Sequence, residues 1–126
     1  MRPEDLQRGI ELFNTGAFLQ CHDYLEELIP VESGQDAEFF HGLMELCAAC
    51  YHIKQGNIFG ARYLLTAASE LIEPCRPSYH GIDVERLLTQ IEHCRTLAAA
   101  LEDDEDIGFD ESYLPRIEWI PVPPPS

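Results

Sequence analysis

The chain has 126 residues and a formal net charge of −15, from 23 acidic and 8 basic side chains. This length supports a single domain with one hydrophobic core, and an apolar content of 45% argues against disorder throughout. Because a strongly negative surface repels phosphate backbones and anionic bilayers, we expect no nucleic-acid partner and no membrane partner.

The N-terminal stretch is polar and lacks the apolar core of a signal peptide. No apolar run approaches the roughly 20 residues that a membrane-spanning helix needs. The five cysteines are odd in number, and most fall in predicted helices, which favours reduced thiols over a disulfide framework. We therefore expect a cytoplasmic protein.

Helical periodicity recurs along most of the chain, and no segment shows the sustained alternation of a strand. Gly56 is a suitable C-cap and Asn57 a suitable N-cap, so a very short turn is expected between two helices. The sequence predicts an all-α fold, a single compact bundle of about five helices built from antiparallel helical hairpins. These helices are expected at residues 3–14, 17–29, 36–55, 58–73 and 84–101.

The composition changes after Leu101. A run of acidic residues at 102–106 is typical of a solvated linker, and the prolines that follow favour extended or polyproline II backbone. We therefore divide the chain into a helical domain at 1–101 and an acidic linker with a Pro-rich extended tail at 102–126. Because the tail is apolar, we expect it to dock on the bundle or on a second copy of the chain.

One side of the predicted third helix has an unusual composition. It carries His41, Glu45 and His52, with Gly42 and Ala48 between them, where an ordinary solvent face would show Lys, Arg or Gln. Small residues at these positions indicate that another helix approaches closely or that this side lines a cavity. The third helix is therefore expected to be central in the bundle.

The predicted second helix offers a matching pair, because His22 and Glu26 are four residues apart and share a face. If the second and third helices pack together, these two side chains converge with Glu45 and His52. Two imidazoles and two carboxylates suit zinc, manganese or iron, and also general acid–base chemistry. We therefore hypothesise that the domain is a metal-dependent hydrolase. His22 and His52 are metal ligands, Glu26 and Glu45 are catalytic groups, and His41 and Asn57 are further candidates.

A second interpretation stays open. In it the same four side chains form a structural polar network, and the domain is a non-catalytic protein-interaction or oligomerisation module. A homodimer would then form through apolar helix faces or through the C-terminal tail. Cys47 and Cys50 lie in the middle of a helix, whereas zinc and redox pairs occupy turns or helix starts, so we expect these two residues in the core.

Several short motifs follow one another in order. They are Phe13-Asn14-x-Gly16-x-Phe18, His22-x-x-Leu25-Glu26, Gly42-Leu43 and His52-x-x-x-Gly56-Asn57-x-x-Gly60-Ala61. Together they resemble domain-of-unknown-function family 309 over residues 5–101, and Gly81-Ile82-Asp83-Val84 agrees near the end. The family is a small all-α domain whose members are sometimes described as predicted metal-dependent hydrolases. The resemblance implies functional positions at His22, Glu26, His52, Asn57 and the glycines at 16, 42, 56 and 60.

The chain departs from the family pattern at three positions. Asp23 stands where the family usually has Glu, Glu45 where it usually has Gln, and Ile29 where it often has Trp. The extra carboxylate of Glu45 would favour a cation at the candidate site. The acidic linker and the Pro-rich tail lie outside the resemblance.

Overall fold

The computed structural model describes residues 3–28, 34–103 and 111–121, without the side chains of 102 and 103. The helices in these residues are α1 (Pro3–Asn14), α2 (Phe18–Leu28), α3 (Gln35–Lys54), α4 (Ile58–Ile72) and α5 (Val84–Asp103). A small antiparallel sheet pairs β1 (Ser78–Tyr79) with β2 (Ile82–Asp83), and 3₁₀ turns cover Glu73–Cys75 and Glu111–Tyr113. The predicted all-α class, a bundle of five helices, is confirmed.

The predicted helix ends agree with the structure to within two residues wherever both are described. The predicted end of the second helix, at Ile29 before Pro30, lies outside the described residues. The β1–β2 hairpin was not predicted, because strands of two residues are too short to show an alternating pattern. In the part of the chain that the structure describes, no helix combines the length and the apolar character that crossing a membrane requires.

The turn between α3 and α4 has a defined hydrogen-bond pattern. The N–H of Gly56 donates to the carbonyl of Ile53 at 3.0 Å, and the N–H of Asn57 donates to the carbonyl of His52 at 2.8 Å. These two bonds form a Schellman motif, in which Gly56 takes the left-handed conformation with φ of 84°. The end of α1 repeats the motif at Gly16, with φ of 87°. The α1–α2 and α3–α4 hairpins are therefore closed by the same kind of turn.

Successive helices pack against one another, and α3 lies between α2 and α4. The contact of α3 with α4 is the most extensive and depends on Gly42. A Cβ atom at this position would lie 2.7 Å from Cγ1 of Ile72 on α4, which is too close for any larger residue. The small residues on this side of α3 therefore admit a neighbouring helix. The largest fully buried side chains of the core include Phe13, Phe39, Phe40, Leu65 and Ile91.

The segment 114–120 returns to the bundle and contacts both α1 and the hairpin. The side-chain amide of Asn14 donates to the carbonyl of Ile117 at 2.8 Å and accepts from its N–H at 3.0 Å. Trp119 forms a β-bridge with Ile82, and the Ile117 side chain is buried. The division of the chain at residue 101 stays a prediction, since 104–110 and 122–126 lie outside the described residues.

Candidate functional site

Helices α2 and α3 meet through a pair of buried thiols. The Sγ atom of Cys47 lies 3.3 Å from the Sγ atom of Cys21, and the Cys21 thiol also donates to the carbonyl of Gly9 at 3.2 Å. Both cysteines are almost completely buried. The two helices therefore pack together as the site hypothesis requires, and the thiol pair identifies the face of α3 that meets α2.

This contact turns the polar side of α3 away from α2. A helix rotates about 100° per residue, so Glu45 and Cys47 project about 200° apart. Glu45 instead pairs with His41 on its own helix, with 3.3 Å between Nε2 of His41 and Oε1 of Glu45. The expected convergence of His22 and Glu26 with Glu45 and His52 on one site is therefore not formed.

His52 has a different neighbour at the end of α3. The side-chain amide nitrogen of Asn57 donates to Nδ1 of His52 at 3.4 Å, while Oδ1 of Asn57 accepts from the N–H of Gly60 at 3.1 Å. Asn57 is thus the N-cap of α4, as its position in the sequence predicts. Together, His52 and Asn57 stabilise the α3–α4 turn.

A compact group of potential metal ligands lies on α2. One ligand atom from each of His22, Asp23 and Glu26 lies within 4.8 Å of the other two. Among the described residues, no other group of three or more His, Cys, Asp or Glu side chains brings its ligand atoms within 4.8 Å of one another. His22 is half-buried and the two carboxylates are exposed, with Nδ1 of His22 3.5 Å from Oδ1 of Asp23. The structure thus joins two predicted site residues, His22 and Glu26, to Asp23, which the sequence hypothesis left out.

Residues 6–64 match the family model Domain of unknown function (DUF309). The resemblance to family 309 is confirmed for this segment. It contains most of α1, all of α2 and α3, and the start of α4, and therefore both Schellman turns and the ligand group on α2. The agreement proposed for residues 65–101 lies beyond the matched segment and stays a prediction. No curated protein matches the chain. The family description names no activity, so the chemistry has to be argued from the residues.

The Cys-x-x-Cys pair of the DUF309 segment belongs to the core. Cys47 and Cys50 are completely buried, and all five cysteines are free thiols. The hydrogen bond to Cys21 and burial raise the pKa of Cys47, and burial raises the pKa of Cys50. A thiol with a raised pKa stays protonated and is a poor metal ligand or nucleophile. The prediction that these two residues lie in the core is confirmed.

A polar cluster that the sequence did not reveal joins the start of α3 to the hairpin. Asp36 accepts hydrogen bonds from the hydroxyl of Tyr79 and, at 3.0 Å, from Nε2 of His80. These bonds hold the pKa of Asp36 below its usual value, while burial and the Asp36 bond raise the pKa of Tyr79 to about 12. The imidazole of His80 also stacks on the ring of Phe40, with 6.3 Å between centroids.

No local sequence pattern predicts this cluster, because Asp36 is separated from Tyr79 by 43 residues and from His80 by 44. The available signal was weak. His80 is followed by Gly81, and a residue followed by Gly favours a two-residue hairpin turn. His80 has φ of 51° and Gly81 has φ of 83°, which is the conformation of that turn.

Proposed function

We propose that the domain binds a divalent metal ion on the surface of α2 through His22, Asp23 and Glu26. The observation that supports this proposal is the mutual distance of at most 4.8 Å between the three ligand atoms. The spacing i, i+1 and i+4 places the side chains on one turn of the helix, so no rearrangement of the fold is needed to bring them to one ion.

The donor set fits an ion of intermediate hardness. One imidazole nitrogen and two carboxylate oxygens suit zinc, manganese or iron better than an ion that prefers thiolates. His22 is half-buried against the bundle, which restricts the motion of its ring, whereas Asp23 is 79% exposed and leaves the outer side of the site open to water. Water molecules would complete the coordination on that side.

The hydrolase part of the sequence hypothesis has less support. Glu26 would have to serve as a metal ligand and as the general base at once. Glu45, the other proposed catalytic group, pairs with His41, and His52 contacts Asn57. The proposal is therefore metal binding, and a hydrolytic reaction would require a further group close to the ion.

Titration of tag-free protein with zinc tests this proposal. We expect stoichiometric binding by calorimetry in the natural protein and its loss in His22→Ala. Asp23→Asn and Glu26→Gln should each weaken binding, since each removes the charge of one carboxylate ligand. The matched control is His93→Ala, which removes an exposed imidazole from α5.

The circular dichroism of each variant should match that of the natural protein, because these side chains are at the surface. Equal zinc binding by His22→Ala and His93→Ala would contradict the proposal. So would substoichiometric zinc binding in the natural protein that His22→Ala leaves unchanged.

A second candidate function is self-association through α4. Phe59 and Tyr63 lie one helical turn apart on this helix and are 81% and 76% exposed. They border a shallow groove between α4 and α5 that also contains Arg62, Arg95 and Glu92. Two large aromatic side chains exposed side by side are characteristic of an interaction surface. The occupant that we favour is a second copy of the chain.

A further inference from the structure

A cleft of about 720 Å³ lies between the C-terminal segment and the bundle. Its walls come from the end of α1, the start of α2, the end of α3, one side of α5 and, in the C-terminal segment, residues 111–116 and 118. It shares no residue with the ligand group on α2. Its size lies within the range of about 300–1,000 Å³ that is usual for small-molecule sites.

Positive charge is concentrated in this cleft although the protein as a whole is strongly acidic. Three of the eight Lys and Arg residues line it, namely Lys54, Arg86 and Arg116. A molecule with a net charge of −15 repels small anions at long range, so an anion is held only where cations face it directly. For comparison, the groove between α4 and α5 has two such cations, Arg62 and Arg95.

Two of these cations form ion pairs with carboxylates. Nζ of Lys54 lies 3.8 Å from Oε1 of Glu111, and Nε of Arg86 lies 3.3 Å from Oε2 of Glu118. Both ion pairs join the bundle to the C-terminal segment. In the described part of the chain, the Arg116 guanidinium makes neither an ion pair nor a hydrogen bond, while its backbone N–H donates to Gln90 at 2.6 Å. Three cations and two carboxylates leave one positive charge in the cleft.

The rest of the lining combines apolar or aromatic residues with polar ones, among them Thr89, Gln90 and His93. Phe18, Tyr113 and Leu114 contribute to the wall, and Nζ of Lys54 lies 5.8 Å from the centroid of the Phe18 ring. The Tyr113 side chain is 36% exposed, so part of its ring is accessible from the cleft. An aromatic wall beside an unpaired guanidinium suits a ligand that has both an apolar and an anionic part.

We infer that this cleft binds a small organic monoanion with a flat apolar body, of the aryl carboxylate class. A single surplus positive charge matches a single carboxylate, and a guanidinium binds a carboxylate through two parallel N–H···O bonds. Arg116 is the residue that recognises the anion, and Tyr113 and Leu114 contact the apolar body. The inference is independent of the proposed metal site, because the two sites have no residue in common.

Calorimetric titration with 2-naphthoate tests this inference. We expect saturable binding that weakens about tenfold or more in Arg116→Gln, because a hydrogen-bonded charge pair is lost. The matched control is Arg8→Gln, which makes the same change in net charge on α1, outside the cleft. Arg8→Gln should bind as the natural protein does, and both variants should keep the helical circular dichroism signal.

Two further ligands separate the parts of the recognition. The neutral 2-naphthylmethanol keeps the ring system and should bind about tenfold more weakly or worse than 2-naphthoate, since its hydroxyl cannot replace the carboxylate. Acetate keeps the charge and should bind more weakly because it lacks the apolar body. Equal binding of 2-naphthoate and 2-naphthylmethanol, equal affinity of Arg116→Gln and Arg8→Gln, or no binding of 2-naphthoate would each overturn the inference.

Discussion

Asp36 joins the first turn of α3 to the β1–β2 turn through its bonds to Tyr79 and His80. Because these bonds favour the carboxylate, the pKa of Asp36 is lowered in the folded protein. The stability that it contributes is present above the pKa of Asp in the unfolded chain, about 3.9, and is lost as the pH falls through the lower folded value. The raised pKa of Tyr79, about 12, has the opposite effect. The stability that Tyr79 contributes is present below about pH 10, the pKa of Tyr in the unfolded chain, and is lost as the pH rises towards the pKa of Tyr79 in the folded protein.

We predict that Asp36→Asn lowers the free energy of unfolding by about 1 kcal/mol at pH 7, where both contributions are complete. The difference from the natural protein should shrink as the pH falls below about 4, because Asp36 of the unfolded chain then takes up a proton and the ionised group no longer contributes its full stability to the folded protein. Urea unfolding at pH 7, 5 and 3 measures both effects. Glu38→Gln is the control, since Glu38 is exposed in the same first turn of α3. A pH-independent difference, or an equal loss in Glu38→Gln, would contradict this account.

Single residues were predictable from the sequence where their partners are local. The i, i+4 rule placed His22 and Glu26 on one face, and the short turn identified Asn57 as a cap. Asp23 was overlooked because adjacent residues on a helix project about 100° apart, although long or flexible side chains can still meet. The hydrogen bonds of Asp36 could not be predicted from the sequence, because they depend on how the β1–β2 hairpin packs on α3.

At the scale of elements, the helices and their turns follow from periodicity and glycine placement. The faces through which neighbouring helices contact one another do not follow from these patterns. The apolar stripe of α3 is broad, so the sequence allowed α2 to pack on either edge of it. The contact of Cys21 with Cys47 selects the edge that directs Glu45 away from α2. A site made of residues from two helices therefore requires their relative rotation, which neither helix encodes alone.

One side chain at the end of α1, that of Asn14, makes two hydrogen bonds to the C-terminal segment, and this leads to a prediction. Asn14→Ala removes both hydrogen bonds to Ile117. Because the backbone N–H and carbonyl of Ile117 then lose these partners, docking of the segment is weakened by about 1–3 kcal/mol. The segment should then detach before the helices unfold. Trp119, the single tryptophan of the chain, reports this change, because it pairs with Ile82 only while the segment is docked.

In Asn14→Ala the emission maximum of Trp119 should move to longer wavelength without denaturant, while the helical circular dichroism signal is retained. Gln20→Ala is the control, because Gln20 is exposed on α2 and does not line the cleft beside the segment 114–120. If tryptophan emission and circular dichroism change together in urea for both variants, docking of the segment does not depend on Asn14.

At the scale of the whole molecule, the net charge of −15 opposes contact between two copies, whereas the exposed aromatic pair on α4 favours it. The groove beside this pair is lined by two arginines, Arg62 and Arg95, and one carboxylate, Glu92, so the groove itself adds no surplus negative charge to the repulsion. Salt shortens the Debye length from about 10 Å at 0.1 M to about 3 Å at 1 M, which suppresses the long-range repulsion and leaves apolar contact unaffected.

We therefore predict a concentration-dependent dimer whose population increases with salt. Sedimentation velocity at 0.1 M and 1 M sodium chloride measures it. Phe59→Ser and Tyr63→Ser should each shift the protein to monomer, because each removes exposed aromatic surface from the proposed contact. Leu19→Ser is the matched control, since Leu19 is also exposed, at 51%, but lies on α2. A monomer under all conditions, or dimers that Phe59→Ser and Leu19→Ser weaken equally, would exclude this face as the dimer contact.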